Sequence, residues 1–342
     1  MTDAAQNGPP VADAVAASAP GRRWPTLDMR ALSPFIALAA LLVLGALVSP
    51  QFLDPSNLLN VVTRSAFIAI IAIGATFVIA GGGLDLSVGS MAALVAGVMI
   101  LTLNGAGSGG VETLALGMVV ALGVSATCGL ANGLVVTFGR IEPFIVTLGT
   151  MGIFRALVVW QAEGGTITMR NFELRELYRP VYFGSVLGVP VPIIAFMAVA
   201  ALAALLLYKT PFGRHVVALG SNEDVARYSG VPIWRVRTLI YVIQGICVGL
   251  AVLVYVPRLG SATPTTGLLW ELQAITAVVI GGTALRGGVG RIWGSVVGAV
   301  ILELVANVMV LSNLVSEYLV GAVQGAIIIV AMLVQRSLQR GR

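Results

Sequence analysis

Few side chains in this sequence are able to do chemistry. His215 is the only histidine, Lys209 the only lysine, and the two cysteines, Cys128 and Cys247, sit inside apolar runs rather than at ligand spacing. Zinc and copper sites draw on clusters of imidazole and thiolate, and the chain offers no such set. A phosphate-cradling GxxxxGK[ST] loop requires a lysine after glycine, and Lys209 follows Tyr208. Gly105, Gly107 and Gly109 echo a dinucleotide loop but follow an apolar run instead of opening a βαβ unit. No Ser/His/Asp or His/Glu/His set exists, so an enzyme is not expected, and no cofactor is expected on this chain. If energy is used, another chain supplies the nucleotide site.

What remains is a small group of polar residues in apolar surroundings. Gly81-Gly82-Gly83-Leu84-Asp85-Leu86-Ser87-Val88-Gly89-Ser90 separates two apolar runs. Three glycines end or unwind a helix, and Asp85 or Ser87 is able to cap the next one. Two readings stay open. One is a tight turn with a capping Asp; the other is a break in a water-lined path, solvating a carboxylate that would cost about 2.5 to 3.5 kcal/mol in lipid. Glu303 lies near the middle of another run and cannot face lipid, and Asn307, one turn later on the same face, is its expected hydrogen-bond partner. Gln244, Glu271, Gln273, Thr276 and Gln324 punctuate further runs, where bonding between helices is the ordinary role and solute contact the alternative. The candidate path residues are Asp85, Ser87, Gln244, Gln273 and Glu303.

The elements that must position these groups follow from composition. Hydrophobic residues make up 58% of the 342 residues and charged ones 10%, against roughly 25% charged in soluble domains. Apolar runs of about 17 to 25 residues cross a hydrocarbon core as helices, whereas barrel strands are about half as long and alternate. The fold class is therefore an all-α polytopic membrane protein of about ten transmembrane helices, expected at 31–48, 61–80, 86–103, 114–137, 144–160, 190–208, 238–256, 271–285, 292–311 and 318–334. Residues 1–30, rich in Ala, Pro, Asp and Gly, read as a largely disordered cytoplasmic tail before a transmembrane domain over 31–342. The run 31–48 is long for a signal-peptide core and lacks a small-residue cleavage site, so it is expected to stay in the membrane.

An even number of spans puts both termini on one side. With the N-terminus in the cytoplasm, 14 of the 20 basic residues fall inside and four, Arg170, Arg175, Arg179 and Arg258, outside. Arg64 and Arg155 are assigned to span ends, where long side chains reach the headgroups. The net charge of +5 is thus a topology signal in short loops, with no basic stripe and stacking aromatics for nucleic acid. Glycines four apart, such as Gly129 and Gly133 or Gly245 and Gly249, predict close helix packing. The stretch IGATFVIAGGGLDLSVGS also echoes ITAVVIGGTALRGGVGRIWGS, each an apolar run entering a Gly-rich break.

The longest charged interruption is the cytoplasmic loop 209–237. Ser221 or Asn222 caps a helix of about two turns, Glu223 and Asp224 favour its positive end, and Gly230 followed by Pro232 ends it. So short a helix has to be held by packing, with Val225 and Tyr228 as the expected anchors and Arg227 exposed. The opposite loop, 163–189, contains NFELRELY, which predicts a second short helix starting at Asn171; it reads either as a solvated loop or as a docking surface or gate for a soluble partner.

GGGLDLSVGS (81–90), EPFIVTLGTMGIFRAL (142–157) and the block from Phe212 through GSNEDVARYSGVPIWRVRTLIY to ELQAITAVVIGGTALRGGVGRIWG together resemble the permease subunits of bacterial ABC importers of the ribose type. The similarity runs from about Ala31 to Val334. It implies an inner-membrane importer subunit for a ribose-like pentose or related monosaccharide, working by alternating access. It also implies a cytoplasmic ABC ATPase that uses the ATP, a periplasmic sugar-binding protein, and a second permease, either a copy or a paralogue. On the same ground Ser221, Asn222, Glu223, Asp224, Val225, Ala226, Arg227, Tyr228, Ser229 and Gly230 are the segment that docks on the ATPase. Gln273 stands where relatives often carry Asp, Arg286 where they carry a small residue, and Glu142 where a neutral residue is usual. A stand-alone facilitator or secondary transporter is the alternative; it would need ion-coupling residues deep in its spans, and Asp85 and Glu303 are the candidates.

Overall fold

The computed structural model describes residues 29–106 and 109–312 and the scattered positions 319, 321–323, 325, 326 and 329. The predicted tail, 1–30, lies almost wholly outside those residues, as do ten of the seventeen positions of the tenth predicted span, 318–334. Helices build the described chain. α1 (Met29–Val48) and a 3-10 turn (Pro50–Leu53) lead into α2 (Pro55–Ala80), α3 (Val88–Gly105), α4 (Val111–Gly139) and α5 (Pro143–Gln161). A connecting segment follows with β1 (Ile167–Thr168), α6 (Phe172–Tyr178), α7 (Pro180–Phe183), β2 (Ser185–Val186) and β3 (Val189–Pro190). The chain then forms α8 (Val191–Lys209), α9 (Pro211–Ser221), α10 (Glu223–Tyr228), α11 (Ile233–Leu259), β4 (Ser261–Ala262), α12 (Trp270–Ile280) and α13 (Ile292–Ser312). Among the described residues seven helices, α2, α3, α4, α5, α8, α11 and α13, are long and apolar enough to cross a membrane.

Helix starts follow local chemistry. Prolines open α2, α5 and α9, where a missing N–H costs nothing and the fixed φ already suits a helix. The second half of α2, 66–80, is apolar on every side but for Thr76, and 83% of the helix's most apolar window is buried, against 22% in α5. A helix of the first kind belongs in the middle of a bundle. α11 packs between α2 and α4, and the predicted glycines make the approach possible. A Cβ on Gly129 would overlap the Tyr241 carbonyl, and one on Gly245 would overlap that of Ser125. Side-chain-free crossings of this kind replace the hydrophobic drive that lipid does not supply.

The echo between the two Gly-rich breaks is a matched closure. Gly81, Gly82 and Gly83 donate N–H to the carbonyls of Phe77, Ile79 and Val78; Gly281, Gly282 and Thr283 donate to those of Ala277, Val279 and Val278. Both closures lie on one face of the bundle, joined where Gly288 N–H donates to Ala80 O at 2.9 Å. The loop 209–237 shares this face, called lower below. On the upper face β1 pairs antiparallel with β4, Ile167 opposite Ala262, and Asn104 at the end of α3 donates to Thr168 O at 2.9 Å. Tyr178 of α6 is buried there, donates to Leu253 O at 2.6 Å, and burial raises its phenol pKa above the usual value.

The eighth predicted span, 271–285, is corrected. α12 has 11 residues, about 16 Å of helix, roughly half of a 30 Å hydrocarbon core. Since α12 ends on the lower face, its first turn lies near mid-depth, and residues 263–269 descend to it from the upper face. The apolar run 271–285 mixed a half-helix with the Gly-rich segment after it, which hydropathy does not separate.

Candidate coupling surface and path

On the lower face the sequence showed one short helix, and the structure has two. α9 precedes it, capped by Thr210, whose Oγ1 accepts from Gly213 N at 3.3 Å. Gly213, Val216 and Leu219 form its buried side, a three-residue helical spacing. The end of α9 rests on both breaks. A Cβ on Gly220 would overlap the Ala80 carbonyl and come within 2.7 Å of Gly288 N.

α10 carries the expected caps. Asn222, not Ser221, is the N-cap, with Oδ1 accepting from Val225 N at 3.0 Å, while Ser221 closes α9 and donates to Val217 O. Beyond Ser229, Gly230 has φ +80°, and Val231 N–H returns to Ala226 O at 3.0 Å, the left-handed closure that glycine allows. Glu223 accepts from Arg227 at 2.7 Å and from Arg237, fastening α10 to α11, and Asp224 stands beside it in the first turn. The packing prediction is corrected in one respect. Ala226 is the buried residue, whereas Val225 and Tyr228 are 59% and 92% exposed. α10 therefore presents its largest apolar side chains outward. Beside it opens a cleft of about 1060 Å³, lined by Gly81 to Gly83, the α4–α5 turn with Arg140 and Glu142, and Arg286.

The candidate path residues do not form one constellation. Asp85 Oδ1 accepts from Ser87 N at 2.8 Å and from Ser87 Oγ at 2.6 Å, and Ser87 Oγ accepts in turn from Asn132 at 2.8 Å. All three are buried, and Asp85 Oδ2 and Asn132 Oδ1 have no partner among the described residues. Neither expected cap geometry occurs: Ser87 occupies the N-cap position of α3 without a side-chain cap bond. Gln244 is fully buried on α11 against Gly74 of α2, and neither of its amide atoms has a partner among the described residues. Gln273 is half-buried on α12 and lines a small cavity of about 60 Å³ with Leu272, Thr276 and Leu302.

Glu303 is half-buried on α13, and the partner expected for it is corrected. Asn307 pairs instead with Asn57 of α2 through two reciprocal amide bonds of 2.9 and 3.0 Å. The assignment of Arg155 to a span end is also corrected. It lies inside α5 and donates from Nη1 to the carbonyls of Pro264 and, at 2.8 Å, Thr266. Its partners are backbone atoms more than a hundred residues away, which carry no side-chain signature in a sequence. The short helix predicted at Asn171 is α6, with Asn171 Oδ1 accepting from Leu174 N at 3.2 Å.

A family model described as a branched-chain amino acid transport system / permease component matches residues 57–332. The ribose import permease protein of Bacillus subtilis is 40% identical over 314 residues, covering 90% of this chain and 93% of that protein. The D-allose transport system permease protein of Escherichia coli K12 is 32% identical over 306 residues, 90% of this chain and 91% of its own length. The L-arabinose transport system permease protein of the same strain is 32% identical over 322 residues, 94% of each chain.

Proposed function

The chain belongs to the family of bacterial ABC importer permeases, in the inner membrane, and from that premise we propose that it carries a monosaccharide by alternating access, driven by a separate ATPase. The family description names branched-chain amino acids, but the relatives at 32 to 40% identity are named for ribose, allose and arabinose. A ribose-like pentose or related sugar is the substrate class those names favour. The partners in this reading are a cytoplasmic ATPase, a periplasmic sugar-binding protein and a second permease, with the lower face cytoplasmic. ATP is used by the ATPase and no cofactor is held by this chain.

The observation that carries the coupling reading is α10. It is too short to be stable alone, yet it is capped at both ends, ion-paired to α11 and turned so that Val225 and Tyr228 project from the protein. Apolar side chains displayed on a preformed helix suit a groove on another subunit. Through α9 its motion reaches Ala80 and Gly288, the ends of the two matched breaks. The test is Val225→Asp together with Tyr228→Ala. Both substitutions are at exposed positions and should leave membrane abundance unchanged, while co-purification of the ATPase and sugar uptake fall at least tenfold. Undiminished co-purification would reject α10 as the docking element.

A further inference from the structure

Arg155 and Glu271 are ionisable residues within α5 and at the first turn of α12, and both are only half-buried. Arg155 lies about 18 Å from the lower end of α5 and about 9 Å from its upper end, within the span. An exposed guanidinium and carboxylate at that depth do not face lipid. Their place beside α5, the least covered of the seven long helices, suits a polar path better than a lipid-facing surface. Both border the segment 263–269: Arg155 binds the carbonyls of Pro264 and Thr266, and the Glu271 carboxylate lies over the start of α3, 2.5 Å from where a Cβ on Gly89 would be and beside the Gly267 carbonyl.

The segment that Arg155 holds has unusual chemistry for a membrane interior. Thr263, Thr265 and Thr266 form a hydroxyl cluster, with Oγ1 atoms 3.0 and 3.1 Å apart, and Thr265 is exposed. The two Arg155 bonds use Nη1 alone, so Nη2 and Nε remain as donors among the described residues. Guanidinium donors, a carboxylate acceptor and an exposed hydroxyl together match what a sugar presents: adjacent hydroxyls that donate and accept at once. An entering half-helix beside an irregular segment is also where transported solutes are commonly held.

We propose that Arg155, Glu271 and Thr265 form a contact site for the hydroxyl groups of the translocated monosaccharide in the upper half of the path. The inference rests on the reading of the chain as a sugar permease and deepens it. Complete transporter, with ATPase and binding protein, is reconstituted in proteoliposomes and assayed for ATP-driven uptake of D-ribose, D-allose and L-arabinose. Arg155→Gln and Glu271→Gln should lower uptake of the transported sugar at least tenfold, and Thr265→Val about threefold, with each variant assembling with its ATPase at wild-type yield. Uptake within twofold of wild type in all three overturns the site. Loss of assembly in parallel with uptake in the two Gln variants, with Thr265→Val unaffected, also overturns it and leaves Arg155 as a clamp on the loop. A wild-type complex that assembles but carries none of the three sugars rejects the functional reading itself, whereas active wild type with active variants rejects this site alone.

Discussion

Gly220 lies on the last carbonyl of α2: its Cα is pressed so closely to Ala80 that no side chain fits between them. The contact ties the helix before α10 to the end of the most buried span. Gly220→Ala forces the two apart, and overpacking of this kind costs about 1 to 3 kcal/mol. Transport activity should fall more than membrane abundance. Uptake assayed at matched abundance checks this, and an Ala variant with wild-type uptake would show that the contact transmits nothing.

Gly230 tests shape independently of packing. Nothing lies within 4 Å of a Cβ there, but φ is +80°, so the penalty for Val is conformational, above about 1 kcal/mol. Gly230→Val should insert normally yet lose uptake and ATPase co-purification, with Gly230→Ala milder. Normal co-purification and uptake with Val would refute the lever role of α10.

The Asn57–Asn307 pair is expected to behave as a unit. Each single Ala variant leaves the opposite amide without its partner, at about 1 to 3 kcal/mol, and the double variant should cost much less than the sum. Detergent melting temperatures of the four proteins measure the coupling. Additive losses would mean that the two amides contribute separately.

Asp85 separates a structural role from a transport role. Both bonds from Ser87 end on Oδ1, and an Asn oxygen is able to accept both. Asp85→Asn should therefore keep abundance and most uptake, whereas Asp85→Ala, which leaves the buried N–H and hydroxyl of Ser87 without their acceptor, should lose abundance. Uptake abolished in the Asn variant at normal abundance would return Asp85 to the path.

Sidedness is open to direct labelling. Leu187 and Tyr228 are 99% and 92% exposed, on the upper and lower faces, and the native Cys128 and Cys247 are buried. Leu187→Cys should react with an impermeant thiol reagent in intact cells, and Tyr228→Cys, in cells lacking the ATPase proposed to cover it, only after permeabilisation. The reverse pattern would invert the topology.

The membrane class, the positions of most spans and both short helices were determined by the sequence alone, because each depends on neighbouring residues. A long apolar run has few alternatives to a helix in lipid, and Asn222 with Gly230, or Asn171 ahead of Phe172, sets a cap through atoms three or four residues away. Composition could not divide 271–285, since a half-helix and a glycine-rich turn have similar hydropathy. Nor could it foresee that Asn307 would meet Asn57 instead of Glu303, that Arg155 would grasp the carbonyls of Pro264 and Thr266, or that Ala226 would be buried with Tyr228 outside. Those outcomes depend on which helix faces which. In a bundle whose surfaces are uniformly apolar, that choice is made by close backbone approach at glycines and by a few buried polar groups, and both are satisfied only by residues distant in the chain.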